Sequence, residues 1–244
     1  MNINNFLKRR NALNNAGGFN YLPFIISHWA FDGNANDSVG VNNGTATSVT
    51  YPTVSGIQMA DFSASTAAKI SVPDDDSLSF GNNLTDNDFS LDFLIYFDSI
   101  NLDQRLFSKG SIVSQSVSQE YVFHFYDGKL RPVLVDQGGS LGYRYKESPF
   151  SASTGVIYHF GFTYTSGILK TYADGVEISS TQLDAGTYIA MSNETSPVTI
   201  GKYPNGSAFS LNGKLGVLTL WNKGLSDDEV LDIATKKLAG IAII

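Results

Sequence analysis

Tyr143 and Tyr145 stand two residues apart in the polar stretch from Asp136 to Pro149. In a strand, that spacing puts both rings on one face and Arg144 on the other. Tyr203, Asn205 and Phe209 form a second group, in a loop rich in Gly, Pro and Asn. Aromatic faces stack on the apolar side of a sugar, while a few polar groups take its hydroxyls. Tyr143 with Tyr145, or Tyr203 with Asn205, therefore suits a glycan site. The competing reading is packing, since rings make up 12% of the chain and most must be buried.

Other chemistry is sparse. The imidazoles are His28, His124 and His159, each in a strand-like segment with aromatic neighbours. No His-Glu-x-x-His or Gly-x-Ser-x-Gly occurs, so a structural role with a hydrogen-bond partner is expected for each. The absence of cysteine removes disulfide scaffolds, thiolate metal sites and cysteine nucleophiles. With 23 acidic against 16 basic residues the net charge is -7, which argues against a nucleic-acid partner. No run approaches the ~18 apolar residues of a membrane span.

These residues need a scaffold, and the pattern supplies one of strands. Residues 1–20 read as an N-terminal arm. Ile3, Phe6, Leu7 and Leu13 have helical spacing, Asn2 suits a cap and Gly17-Gly18 a stop. The arm either frays or folds onto a partner. The apolar positions favour docking through Ile3, Phe6 and Leu7, with Arg9 and Arg10 adding charge. It has no apolar core of a signal peptide.

Residues 21–244 read as one domain. Ser90 to Phe97 alternates, with Leu91, Phe93, Ile95 and Phe97 on one face and Asp92, Leu94 and Tyr96 on the other. Val156 to Thr165 puts Phe160, Phe162 and Tyr164 on one side. Asp127-Gly128 and Asp174-Gly175 each separate two strand-like runs, the signature of a type I′ hairpin. Ser226 with Glu229 forms a capping box, and Val230, Leu231, Ile233, Ala234 and Leu238 give the helix that follows an apolar face. Many short strands and one late helix predict an all-β sandwich of two antiparallel sheets.

The order of several motifs carries a family resemblance. His28-Trp29-Ala30-Phe31-Asp32-Gly33, then Asn42-Asn43-Gly44-Thr45, resembles the first strand and loop of laminin-G-like domains in the concanavalin A-like lectin/glucanase superfamily. Phe89-Ser90-Leu91-Asp92-Phe93, Leu169 to Gly175 and Leu220 to Glu229 continue it, over roughly residues 27–235. The resemblance implies a jelly-roll sandwich. It also implies a calcium site in the first loop, with Asp32 in the family position and Asp37 and Asn43 as nearby donors. The chain departs from the family at Gly213-Lys214-Leu215-Gly216-Val217, where the acidic partner is missing. The alternative is that Asp32 and Asp37 only hydrogen-bond their own loop.

Glucanases of the superfamily carry Glu-x-Asp-x-x-Glu on one strand. None of Glu120, Glu147, Glu177, Glu194 and Glu229 lies in that pattern, and Asp92 is a lone carboxylate expected on an open face. The resemblance does not fix the function, but the missing carboxylate constellation disfavours an enzyme. The expectation is a virion structural or decoration protein of bacteriophage type, made in the host cytoplasm and displayed on the virion surface. Its arm would dock to other virion proteins and its lectin-like domain would meet host-surface glycans. The alternatives are a free-standing extracellular adhesion module and, third, a glycoside hydrolase. No heptad repeat marks an oligomer, although multimers are common among such proteins.

Overall fold

The computed structural model describes residues 19–100, 103–110, 112–113, 116–137, 141–204 and 209–244. Ile3, Phe6, Leu7, Arg9, Arg10 and Asn205 lie outside them. Among the described residues, two large antiparallel sheets face each other, and one helix packs outside the first.

The seven-stranded sheet runs Ile25–Trp29, Gly213–Trp221, Phe89–Phe97, Ile157–Thr165, Ile168–Ala173, Val176–Glu177, with Ala60–Asp61 added beside Gly213–Trp221. The nine-stranded sheet runs Gln182–Ala185, Gly142–Lys146, Lys129–Asp136, Tyr121–Tyr126, Gln104–Lys109, Val198–Ile200, Lys69–Val72, Thr45–Thr47, with Ser148–Pro149 added beside Lys129–Asp136. This is the all-β sandwich of two antiparallel sheets that the alternating sequence predicts, in the jelly-roll form that the family resemblance implies.

Alternation decides what lies between the sheets. Phe89, Leu91, Phe93, Ile95 and Phe97 point inward and join one cluster with Phe107, Tyr121, Phe123 and Phe125 of the opposite sheet. The rings of Phe123 and Phe162 meet at 4.8 Å, and those of Phe97 and Phe125 at 5.0 Å. Two hairpins fix the register. Asp127 and Gly128 have φ of 49° and 68°, and Asp174 and Gly175 have 50° and 79°. Both turn positions are thus left-handed, as a type I′ turn requires. Tyr126 then pairs with Lys129, and every pair behind them follows.

The helix Asp227–Leu238 starts as its capping box predicts: the Ser226 amide donates to Glu229 Oε2 at 2.9 Å, and the Glu229 amide donates to Ser226 Oγ at 3.3 Å. Its apolar face lies on the outer side of the seven-stranded sheet. There Val230 and Ile233 join Tyr21, Tyr172, Trp221 and Leu225 in a second cluster.

One expectation is overturned here. Asp92 does not sit on an open face; it is 1% exposed, beneath the helix. Trp221 Nε1 donates to its Oδ2 at 2.7 Å, His159 Nε2 lies 3.1 Å from its Oδ1, and the Lys237 ammonium is in contact with the same oxygen. Lys237 also donates to the Val217 carbonyl and to Thr219 Oγ1, each at 2.8 Å. Burial opposes ionisation of Asp92, but Lys237 and His159 outweigh it and hold the carboxyl below its usual range.

A buried ion pair loses most when one partner goes. Asp92→Ala is expected to lower unfolding free energy by about 3–5 kcal/mol in urea denaturation. The double change Asp92→Leu with Lys237→Met is expected to recover most of that. An Asp92→Ala loss below about 1 kcal/mol would show that the pair does not secure the helix.

Candidate functional site: an aromatic and guanidinium hollow on the outer sheet face

The helix covers the outer side of one sheet and leaves the outer side of the other for side chains. Tyr121, Phe123 and Phe125 point into the core, so Val122 and His124 point out. Cross-strand pairing extends these positions into rows. His124 pairs with Arg131 on one side and, past a bulge, with Arg105 on the other. Val122 pairs with Val133, which pairs with Tyr145; Val135 pairs with Tyr143. Val122, Val133 and Val135 form a small outer cluster on which Tyr143 and Tyr145 pack.

These rows line a hollow of about 290 Å³, and Tyr203 closes it from the loop after Val198–Ile200. The volume lies near the lower end of the ~300–1,000 Å³ range of small-molecule sites. The structure thus brings Tyr143, Tyr145 and Tyr203 together, where the sequence suggested two separate groups. Arg144 points to the other side: Nε and Nη2 donate to Asp184 at 3.0 and 2.9 Å, and Nη1 lies 3.2 Å from the Tyr164 hydroxyl. Phe209 stands edge-on to Tyr203 with centroids 6.2 Å apart.

The polar lining is unusual in what it leaves unpaired. His124 is 1% exposed, and its Nδ1 is 3.0 Å from Asp103 Oδ1. The carboxylate accepts, which assigns the hydrogen to Nδ1 and leaves Nε2 as a bare acceptor. Nε2 has no hydrogen-bond partner. Burial, with the charges of Arg105 and Arg131, pushes the imidazole down to about 4 against the pull of Asp103, so it is neutral at neutral pH. Gln119 Nε2, Arg105 Nε and Arg131 Nε are likewise buried without a hydrogen bond. Both guanidiniums are held over rings, Arg105 at 5.3 Å from Tyr203 and 5.2 Å from Phe209, and Arg131 at 5.0 Å from Tyr145.

Gln119, His124, Arg105 and Arg131 were not singled out from the sequence. The hairpin at Asp127-Gly128 does contain the signal for two of them, since a two-residue turn places His124 opposite Arg131. Arg105 carries no such signal, because it reaches the row through the bulge. His28 and His159 take the structural roles expected of them, with His28 Nδ1 3.0 Å from Thr219 Oγ1.

The first loop uses its oxygens internally. Asp37 accepts the amides of His28, Val39, Gly40 and Asn42 at 2.9–3.2 Å. Oδ1 takes three of these amides and Oδ2 takes one, which ties the carboxylate to its own loop. Asn43 Oδ1 accepts the Asp37 amide at 3.0 Å, and Asp32 is exposed and accepts from Asn34 at 3.2 Å. Among the described residues no group of three or more His, Asp or Glu is arranged to hold a metal. Asp37 acts as the loop's own fastener.

The hollow's lining also contains no carboxylate, so it lacks the pair that glycoside hydrolysis uses. A larger hollow of about 610 Å³ lies between Ile157–Thr165 and the start of the helix, but no ring lines it.

The paired sheets, with a ring-lined hollow on one outer face, define a lectin-like sandwich of the concanavalin A class. A family model described as Laminin_G_3, concanavalin A-like lectin/glucanases superfamily, matches residues 63–231, and the chain belongs to that family. No curated protein matches the chain in sequence. Domain 4 of AbnA, an extracellular arabinanase of Geobacillus stearothermophilus solved with arabinotriose, has a similar structure: TM-score 0.64, 17% identity, 86% of this chain and 98% of that one covered. The binding domain of Paraclostridial Mosquitocidal Protein 1 is similar at TM-score 0.66 and 17% identity, over 86% of this chain and 51% of that one. The botulinum neurotoxin serotype D binding domain gives 0.64 and 17%, over 89% and 52%. The chain thus spans about half of these toxin domains.

The buried imidazole gives the site a pH signature. The folded pKa of His124 is about 4, below the ordinary 6.5, so the unfolded chain takes up a proton that the folded one refuses. That contribution is complete above pH 6.5 and is lost as pH falls toward 4. Glu120, pushed up to about 7 by burial, acts in the opposite sense over an overlapping range, so the comparison must be with a variant. Wild type is expected to lose stability relative to His124→Gln between pH 6.5 and 4, read from urea midpoints. A constant difference would show that His124 is not held neutral.

Proposed function

We propose that this chain is a non-enzymatic carbohydrate-binding module that seats one sugar ring in the outer hollow. The observation that carries this reading is the convergence of Tyr143, Tyr145 and Tyr203 around a buried, unpartnered imidazole acceptor. A pyranose has an apolar face for the rings and hydroxyls that both donate and accept. The arabinanase domain solved with arabinotriose supports the reading, being a similar fold with a saccharide. A glycan array should give positives that a chelator does not alter, because the lining of the hollow contains no carboxylate to hold a metal. Tyr145→Ala is expected to weaken binding about tenfold or more while still unfolding in one cooperative melting transition. Silence from folded wild type, or full binding by Tyr145→Ala and Tyr143→Ala together, would overturn this assignment.

Display on a virion surface extends the same proposal. Tyr21, where the arm meets the domain, is 2% exposed and packs edge-on against Trp221 at 5.6 Å, under the helix. The hollow lies on the opposite sheet, so a partner at the arm would leave it facing outward. Deleting residues 1–20 is expected to give a folded protein that still binds glycan but no longer joins particles. Normal incorporation of the shortened chain would refute the docking role of Ile3, Phe6, Leu7, Arg9 and Arg10.

A further inference from the structure

The row Arg105–His124–Arg131 crosses three strands on the floor of the hollow. Neighbouring strands are ~4.8 Å apart, so the two arginines start ~10 Å apart on either side of the imidazole. Like charges on one sheet face repel unless something lies between them. His124 does not supply a counter-charge, being a neutral acceptor. Asp103 and Glu147 are shared: Asp103 serves Arg105 and His124, while Glu147 lies 3.4 Å from Arg131 Nε and 3.0 Å from Lys129. Neither carboxylate thus belongs to one arginine alone.

The atoms without a hydrogen bond are mostly donors. Arg105 Nε and Gln119 Nε2 are two, Arg131 Nε has only the ion-pair contact with Glu147 at 3.4 Å, and His124 Nε2 is an acceptor. Gln119 is 3% exposed and His124 1%, so neither can turn readily to bulk water. The guanidiniums are fixed by their rings before any ligand arrives, which lowers the ordering cost of using their N–H groups.

We propose that the sugar taken by this hollow carries a carboxylate, which lies between Arg105 and Arg131 while the ring stacks on Tyr143 and Tyr145. One sugar hydroxyl donates to His124 Nε2, and Gln119 donates to another oxygen of the same ring. This rests on the glycan-binding reading above and adds the chemical class of the ligand. A uronic acid and a sialic acid both present that chemistry.

The test is calorimetric titration of the full chain with two matched pairs: trigalacturonate against its methyl ester, and sialyllactose against lactose. In at least one pair the acid is expected to bind about tenfold or more tightly than its neutral partner, the effect of one charge-assisted hydrogen bond. The pair that shows it identifies the source of the carboxylate. Arg131→Gln and Arg105→Gln, each confirmed as folded by its melting curve, are expected to bring the acid and its neutral partner to equal affinity. In wild type the preference should shrink as salt is raised, a readout that needs no variant. Equal affinity within both pairs, or a preference that survives both arginine changes, would overturn the carboxylate assignment and leave glycan binding standing. No heat from any of the four, together with silence on the array, would instead overturn the glycan reading itself.

Discussion

A carboxylate buried in the middle strand of the seven-stranded sheet sets the organisation of this molecule. Asp92 would be costly there alone. Trp221, His159 and Lys237 converge on it from the adjacent strands and from the helix, so the charge dictates where the helix must lie. The capping box then fixes where the helix begins, and its apolar face seals Trp221 and Tyr172. One outer face of the sandwich is thereby committed to structure. The other, with no helix of the described residues on it, can present side chains to solvent, and it is there that the rings and guanidiniums gather.

The hollow itself is built by the same alternation that builds the core. Phe123 and His124 are neighbours in sequence and face opposite ways. The inner row gives the sheet its adhesion to its partner, and the outer row inherits a rigid floor. Val122 and Val133 make that floor apolar, so the polar groups on it compete poorly with water unless a ligand arrives. The cation–π contacts of Arg105 and Arg131 keep those groups in place meanwhile.

Much of the fold was legible from the chain because its determinants are local. The Asp-Gly turns, the alternation from Phe89 to Phe97 and the capping box at Ser226 each depend on a few adjacent residues. The placement of Tyr143 and Tyr145 on one face was readable for the same reason. What escaped depends on distant partners. Asp92 looked like a surface residue, since nothing in its neighbourhood announces Lys237, 145 positions later in the sequence. Arg105 joins the hollow only because a bulge shifts its register, and Tyr203 meets the other tyrosines only through the closure of the sheet. Asp37 shows the converse. Its type and place suit a cation, yet four amides of the loop already take its oxygens.

The two-residue turn at Asp127-Gly128 also constrains how this surface can change over generations. Substitutions at His124, Arg131 or Tyr145 alter one outward group and leave the inward rows untouched, so selectivity can drift in small independent steps. A single-residue insertion in either arm of that hairpin has no such freedom. It would exchange inner for outer positions from the insertion onward, turning imidazole and guanidinium into the core and phenyl rings out to water. The ligand face is therefore open to diversification in its chemistry while the lengths of its strands are held fixed, and lineages descended from this scaffold should vary in residue type here and hardly at all in spacing.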